Sequence, residues 1–219
     1  MNIREIEWCK MTPALAYVLG MIFPLCKTKK IAQLGEKEFL IGSVNHNSGM
    51  VSEEELNQHY LKVYQLLNKY DDIKQIELRT NKSVDYNVSP KEGFSIMIEI
   101  TDVDMDEVID ILSEKTKEIK GAAENIKKAF ATGCFDGRSS WDKTAHYLSI
   151  DVDRDYPKQD LIVEILESLG IEINLNRRAE GYKKNDQIRI KPESIEFFME
   201  NIGLYSTCRT KLIEKGLYS

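Results

Sequence analysis

The sequence predicts an α/β (α+β) fold made of two pseudo-symmetric αββαββα halves, each carrying an antiparallel sheet. Three observations lead there. Ala16-x-x-x-Gly20 recurs as Ala129-x-x-x-Gly133, with both residues of the pair offset by 113 positions. Each copy is followed by two strands, a helix, two strands and a helix. The strand segments alternate apolar and polar residues, as expected of a sheet with one packed and one open face. Small residues four apart share a helix face, so two such helices can bring their backbones close together.

Residues 1–12 read as a lead-in, 13–120 as the first half, 121–203 as the second and 204–219 as a tail. Thr12-Pro13 is a helix entry, a capping residue before a proline in the first turn. That helix should stop at Pro24, which has no N–H to donate and disfavours helix before it. Strands are expected at 30–34 and 37–45. Ser52-Glu53-Glu54-Glu55 resembles a capping box opening a helix to about Tyr70. Strands follow at 73–80 and 94–101, then a helix over 104–119. In the second half the Ala129/Gly133 helix ends in an Asp136-Gly137 turn. Strands are predicted at 138–141, 146–153, 171–178 and 186–191. A helix from Pro157 to Leu169 stops at Gly170, and another opens at Pro192.

With 219 residues, 42% of them apolar and 30% charged, the chain reads as globular and large enough for a real core. No apolar run approaches the roughly 20 residues of a membrane span, so no membrane partner is expected. The four cysteines lack metal-type spacing and read as free thiols in a reducing cytoplasm, and the three histidines are scattered. Net charge is −6 and unevenly spread. Residues 99–118 hold eight acids and two bases, whereas 171–191 hold six bases and three acids. One side should therefore be acidic and another basic.

The polar faces of the strands carry the candidate binding residues. Asn174, Asn176, Arg178, Gln187, Arg189 and Lys191 alternate with Ile173, Leu175, Ile188 and Ile190. Gln75 and Arg79 hold comparable positions in the first half, with Lys29 and Lys30 nearby. Any antiparallel sheet with a solvated face alternates this way. The choice of Asn, Gln and Arg is more telling, because these side chains make paired hydrogen bonds to adenine and guanine edges. Arg177, Lys183 and Lys184 add cations suited to phosphates.

Gly133-Cys134-Phe135-Asp136-Gly137-Arg138-Ser139 resembles the second motif of the single-chain, two-repeat LAGLIDADG homing endonucleases. Gly20-Met21-Ile22-Phe23-Pro24-Leu25-Cys26 is similar, more distantly, to the first. The resemblance covers about residues 13–203 and implies a saddle of two sheets over duplex DNA. In that family a penultimate acid from each motif helix holds a divalent metal that stabilises the attacking and leaving oxygens. Alignment on the glycines puts Leu25 and Arg138 at those places, and neither suits magnesium, which wants carboxylate oxygen. Asp136 then has three readings. It caps a turn, or it is a displaced catalytic metal ligand helped by Asp142 or Asp151, or it orients Arg138 toward a phosphate.

The expected function is sequence-selective binding of double-stranded DNA with cleavage lost or rerouted, by a monomer in the cytoplasm or nucleoid. No cofactor is expected unless the protein cleaves. The alternative is an active endonuclease of homing or restriction type using Mg2+, Asp136 and another carboxylate. A third reading is a protein-interaction domain that uses the acidic 99–118 helix.

Overall fold

A short helix α1 (Ile3–Trp8) leads into α2 (Pro13–Ile22), where Thr12 Oγ1 accepts from the amide of Leu15 at 3.2 Å and Pro13 fills the first turn. The computed structural model describes residues 3–26, 31–33, 38–47, 53–68, 77–82, 91–99, 105–142 and 144–217. At Pro24 the chain does not simply stop. It tightens into a 3-10 turn over Phe23–Leu25, because proline cannot take the next i→i−4 hydrogen bond.

The first sheet contains β1 (Ile31–Gln33), β2 (Glu38–Asn47), β3 (Glu77–Lys82) and β4 (Lys91–Glu99), in the spatial order β1-β2-β4-β3. Helices α3 (Glu53–Asn68) and α4 (Met105–Lys120) follow its two hairpins. A register shift between Ile41 and Ser43 places a bulge at Gly42. The strand predicted at 73–80 begins, among the described residues, at Glu77 and continues into what was expected to be loop.

The second half starts with α5 (Glu124–Arg138). Its sheet comprises β5 (Ser139–Asp142), β6 (Tyr147–Val152), β7 (Ile173–Asn176) and β8 (Asp186–Ile190), in the matching order β5-β6-β8-β7. All pairings in both sheets are antiparallel. Helix α6 (Tyr156–Glu167) joins the hairpins, and α7 (Pro192–Asn201) follows the last strand. The stretch read as a tail carries a further helix, α8 (Thr207–Leu217).

Helices α2 and α5 form the centre, and they touch through their glycines. A Cβ on Gly20 would lie 2.2 Å from the carbonyl oxygen of Phe130, and one on Gly133 would lie 2.1 Å from that of Tyr17. The shared Ala-x-x-x-Gly pattern is thus a backbone contact surface. Gly137 belongs to it as well, since its Cβ would stand 3.2 Å from Met21 Cα. The predicted Asp136-Gly137 turn is therefore corrected. Both residues are helical, and Gly137 serves close approach rather than chain reversal.

Around this pair the core gathers Leu15, Val18, Leu19, Phe130 and Phe135, all essentially inaccessible. Phe135 meets Phe198 of α7 with ring centroids 4.9 Å apart. Helices α2 and α5 pack on β2 and α5 on β6, and in the second sheet the half-open residues lie on the face away from the helices. In β8 burial alternates strictly, with Ile188 and Ile190 enclosed and Gln187 and Arg189 partly open.

Candidate nucleic-acid interface

The open face of the second sheet is organised in rows fixed by strand register. Ser140, Ser149, Arg189 and Asn174 are partners across the four strands, and Asp151, Gln187 and Asn176 form the next row. Ser149 is buried despite belonging to this face, because Ser140 and Arg189 flank it. The hydroxyls of Ser140 and Ser149 are 3.0 Å apart. Gln187 Nε2 donates to Asp151 at 3.2 Å, and Arg189 Nη2 donates to Gln187 Oε1 at 3.0 Å. The Arg189 guanidinium lies 4.4 Å from the ring centre of Tyr147, while its Nε is buried without a hydrogen-bond partner. Asn174 is exposed.

The loop between β7 and β8 is tied down from inside. Asp186 is buried and accepts from the amide of Arg178 at 2.8 Å and from Gln159 Nε2 at 2.8 Å. That first bond explains why β7 ends at Asn176 and not at Arg178. The Arg178 amide is taken by a carboxylate instead of a strand partner. Arg154 donates to the carbonyls of Tyr182 and Lys184. Lys183 and Lys184 are left exposed at the tip.

The other cations named from sequence are placed differently. Arg177 turns to the helix side, donating to Gln159 at 3.1 Å and Asp160 at 2.9 Å, with its guanidinium 4.4 Å from the Tyr156 ring centre. Arg178 is held by the carbonyl of Asn185 and lies over Tyr182. Lys191 pairs with Glu172 at 2.8 Å, and that hydrogen bond, with the attendant charge, holds its ammonium above its ordinary pKa. Arg79 stands opposite Ser95 in the strand register. Lys29, Lys30 and Gln75 lie outside the described residues, as does the side chain of Arg138, the last residue of α5.

Asp136 is not on the open face at all. Its relative exposure is 0%, and it accepts from the Tyr17 hydroxyl at 3.1 Å and from the amides of Tyr205 and Ser206 at 3.0 and 3.1 Å. His59 Nε2 lies 3.7 Å away. The carboxylate therefore caps the chain entering α8 and ties α2, α5 and α8 together. Burial first, and then the Asp136 charge, push the Tyr17 hydroxyl well above its usual pKa. Burial likewise raises the Cys134 thiol.

The residues at the motif-helix ends do not fit a divalent cation. Leu25 is a buried hydrocarbon, Arg138 is a cation, and the oxygens of Asp136 are engaged where no phosphate reaches. Asp142 accepts from the amides of Thr144 and Ala145, both at 2.9 Å, which lowers its pKa. Among the described residues there is no group of three or more His, Cys, Asp or Glu side chains placed to hold a metal. None of the helices described is long and apolar enough to cross a membrane.

Sequence reasoning missed a buried polar cluster beside the 3-10 turn. Lys158 Nζ donates to Asp153 at 2.6 Å and to Cys26 Sγ at 2.9 Å, and the Asp153 amide donates to the Pro24 carbonyl at 2.7 Å. Lys158 stands in the first turn of α6, where no local pattern marks it as buried, and only tertiary packing encloses it.

No protein-family model matches the sequence, nor does any curated protein. Solved structures do match. The crystal structure of I-DmoI in complex with DNA and Ca is 15% identical, with a TM-score of 0.54, covering 98% of this chain and 100% of that one. The complex of I-DmoI with DNA and Mn is 16% identical, again with a TM-score of 0.54, covering 89% and 98%. Full-length DUF199/WhiA from Thermatoga maritima is 14% identical at a TM-score of 0.50, covering 99% of this chain and 64% of that one. At such identities the likeness is one of architecture. With its glycine-paired central helices and two antiparallel sheets of equal strand order, the chain has the LAGLIDADG fold.

Proposed function

We propose that this protein binds double-stranded DNA with sequence preference through the open faces of its sheets, with cleavage lost or rerouted. The observation that carries the reading is the row Ser140–Ser149–Arg189–Asn174 beside Asp151–Gln187–Asn176. It offers donors and acceptors at strand spacing, and two-stranded β-ribbons fit the major groove. Arg189 is braced by Tyr147 and Gln187 on the open face, where an arginine fork suits the N7 and O6 acceptors of a guanine. Asn174 and Asn176 suit an adenine edge. Lys183 and Lys184 supply the salt-dependent phosphate contacts that dominate affinity.

The net charge of −6 does not oppose this reading. Helix α4, with the acidic residues Asp106, Glu107, Asp110, Glu114 and Glu118, packs against α1 and α6 in the helical layer, away from the open sheet face. I-DmoI has been captured with DNA and with Mn or Ca. In the present chain Leu25, Arg138 and the engaged Asp136 favour grip over hydrolysis, so no hydrolytic step is derived. With both halves in one chain, a monomer spans both sides of its target.

The test is a randomised duplex library incubated with the protein, with and without magnesium, scoring retained and cut sequences. Retention of one motif without cutting is expected. Magnesium-dependent nicking would overturn the loss of cleavage, and failure to retain any duplex at low salt would overturn DNA binding itself.

A further inference from the structure

On the helical side of the second half, α7 and α8 enclose a hollow of about 220 Å3. Met199, Leu204 and Leu217 line it with Thr210, and the exposed Glu196, Glu200 and Glu214 stand at its edge. Gly203, at φ +72°, bends the chain between the helices and contributes no side chain to fill the space. The three glutamates are exposed and have no cationic partner among the described residues. Several other surface acids are paired: Glu107 with Arg4, Glu124 with Lys128, Glu164 with Lys120 and Glu172 with Lys191. Helix α7 has no basic residue at all.

Size and chemistry narrow the occupant. Small-molecule sites run to roughly 300–1,000 Å3, so this hollow is short of one and is closer to the room needed by a single long side chain. Lysine and arginine bury an apolar stem while keeping the charged head at a polar rim. Apolar side chains edged by these three carboxylates complement that shape and charge. We infer that the α7/α8 groove docks a basic segment of a protein partner, with one arginine or lysine of that segment anchored in the hollow.

The groove lies on the helical side of its half, so the partner and a duplex on the open sheet face can be bound together. The inference does not depend on the DNA reading. It is tested with a fluorescein-labelled, arginine-rich amphipathic peptide titrated with the full chain and followed by anisotropy. Saturable binding that weakens with added salt is expected. The isosteric triple variant Glu196→Gln/Glu200→Gln/Glu214→Gln should bind at least about ten-fold more weakly, as loss of several charge-assisted contacts implies, with its thermal unfolding unchanged. The α4 variant Asp106→Asn/Asp110→Asn should bind like the wild type. Absence of binding, equal binding by the triple variant, loss in the α4 variant, or equal binding of a peptide with glutamates for arginines would each overturn it. So would sedimentation showing that the groove instead pairs two copies of this chain.

Discussion

Arg189 keeps its Nε buried and unbonded while its guanidinium rests on Tyr147. An arginine so braced loses little side-chain freedom on meeting a base, which favours selectivity over general attraction. Arg189→Ala is therefore expected to weaken binding to a selected duplex by about 1–3 kcal/mol, and binding to a scrambled duplex far less. Equal losses on both, measured by anisotropy at one salt concentration, would assign Arg189 to phosphate contact. Asp136 is the opposite kind of residue, a charge spent wholly on the protein. Asp136→Ala leaves a hydroxyl and two amides without their acceptor, each costing about 1–3 kcal/mol, so urea denaturation should show a loss above about 3 kcal/mol. Tyr17 adds a pH dependence. Its folded pKa lies above the unfolded one, so its contribution is complete below about pH 10 and is lost as pH rises toward the folded value. Tyr17→Phe should accordingly flatten the fall in stability above pH 10, followed by urea midpoints across that range.

Between elements, the α2–α5 contact tolerates no added atom at two positions. The 2.2 and 2.1 Å approaches at Gly20 and Gly133 meet backbone carbonyls, which cannot swing aside as a flexible side chain would. Gly20→Ala or Gly133→Ala must push the helices apart and is expected to cost at least about 3 kcal/mol, the upper end of ordinary overpacking. Gly121→Ala, where a Cβ meets nothing within 4 Å, should be neutral or stabilise by up to about 1 kcal/mol. Thermal unfolding of the three variants decides the matter, and similar midpoints would mean that the helices pack more loosely than described. The same contact explains the corrected Asp136-Gly137 region. An Asp-Gly pair usually signals a turn, but here the glycine is needed where α5 presses on Met21.

At the scale of the whole molecule, α8 is bound into the centre. Its entry amides meet Asp136, Arg209 donates to the Phe135 carbonyl and to Ser139 Oγ, and Gly216 faces the Trp141 ring. Tyr205 also stacks near Tyr17, with centroids 5.3 Å apart. Deleting residues 204–219 should therefore uncover a buried charge and the α2–α5 seam. The shortened chain is expected to lose its single urea transition, whereas an unchanged midpoint would make α8 a dispensable appendage.

Periodicity and small-residue spacing, both local and repetitive signals, were enough to show the order of helices and strands, the alternation in β8 and the closeness of α2 to α5. Three residues show where that legibility ends. Asp136 stood in a motif associated with chemistry, yet its partners Tyr17, Tyr205 and Ser206 come from distant segments that no local pattern connects. Arg177 reads from the sequence as a phosphate contact, but the strand ends before it and its side chain is claimed by α6. Lys158 carries no local signal of burial, yet it is enclosed with Asp153 and Cys26. The sequence by itself determined the succession of elements and their packed faces, because backbone propensity and hydrophobic period act between neighbours in the chain. Only the tertiary structure decided which charges stay available, because burial and pairing depend on residues brought together from far along the chain.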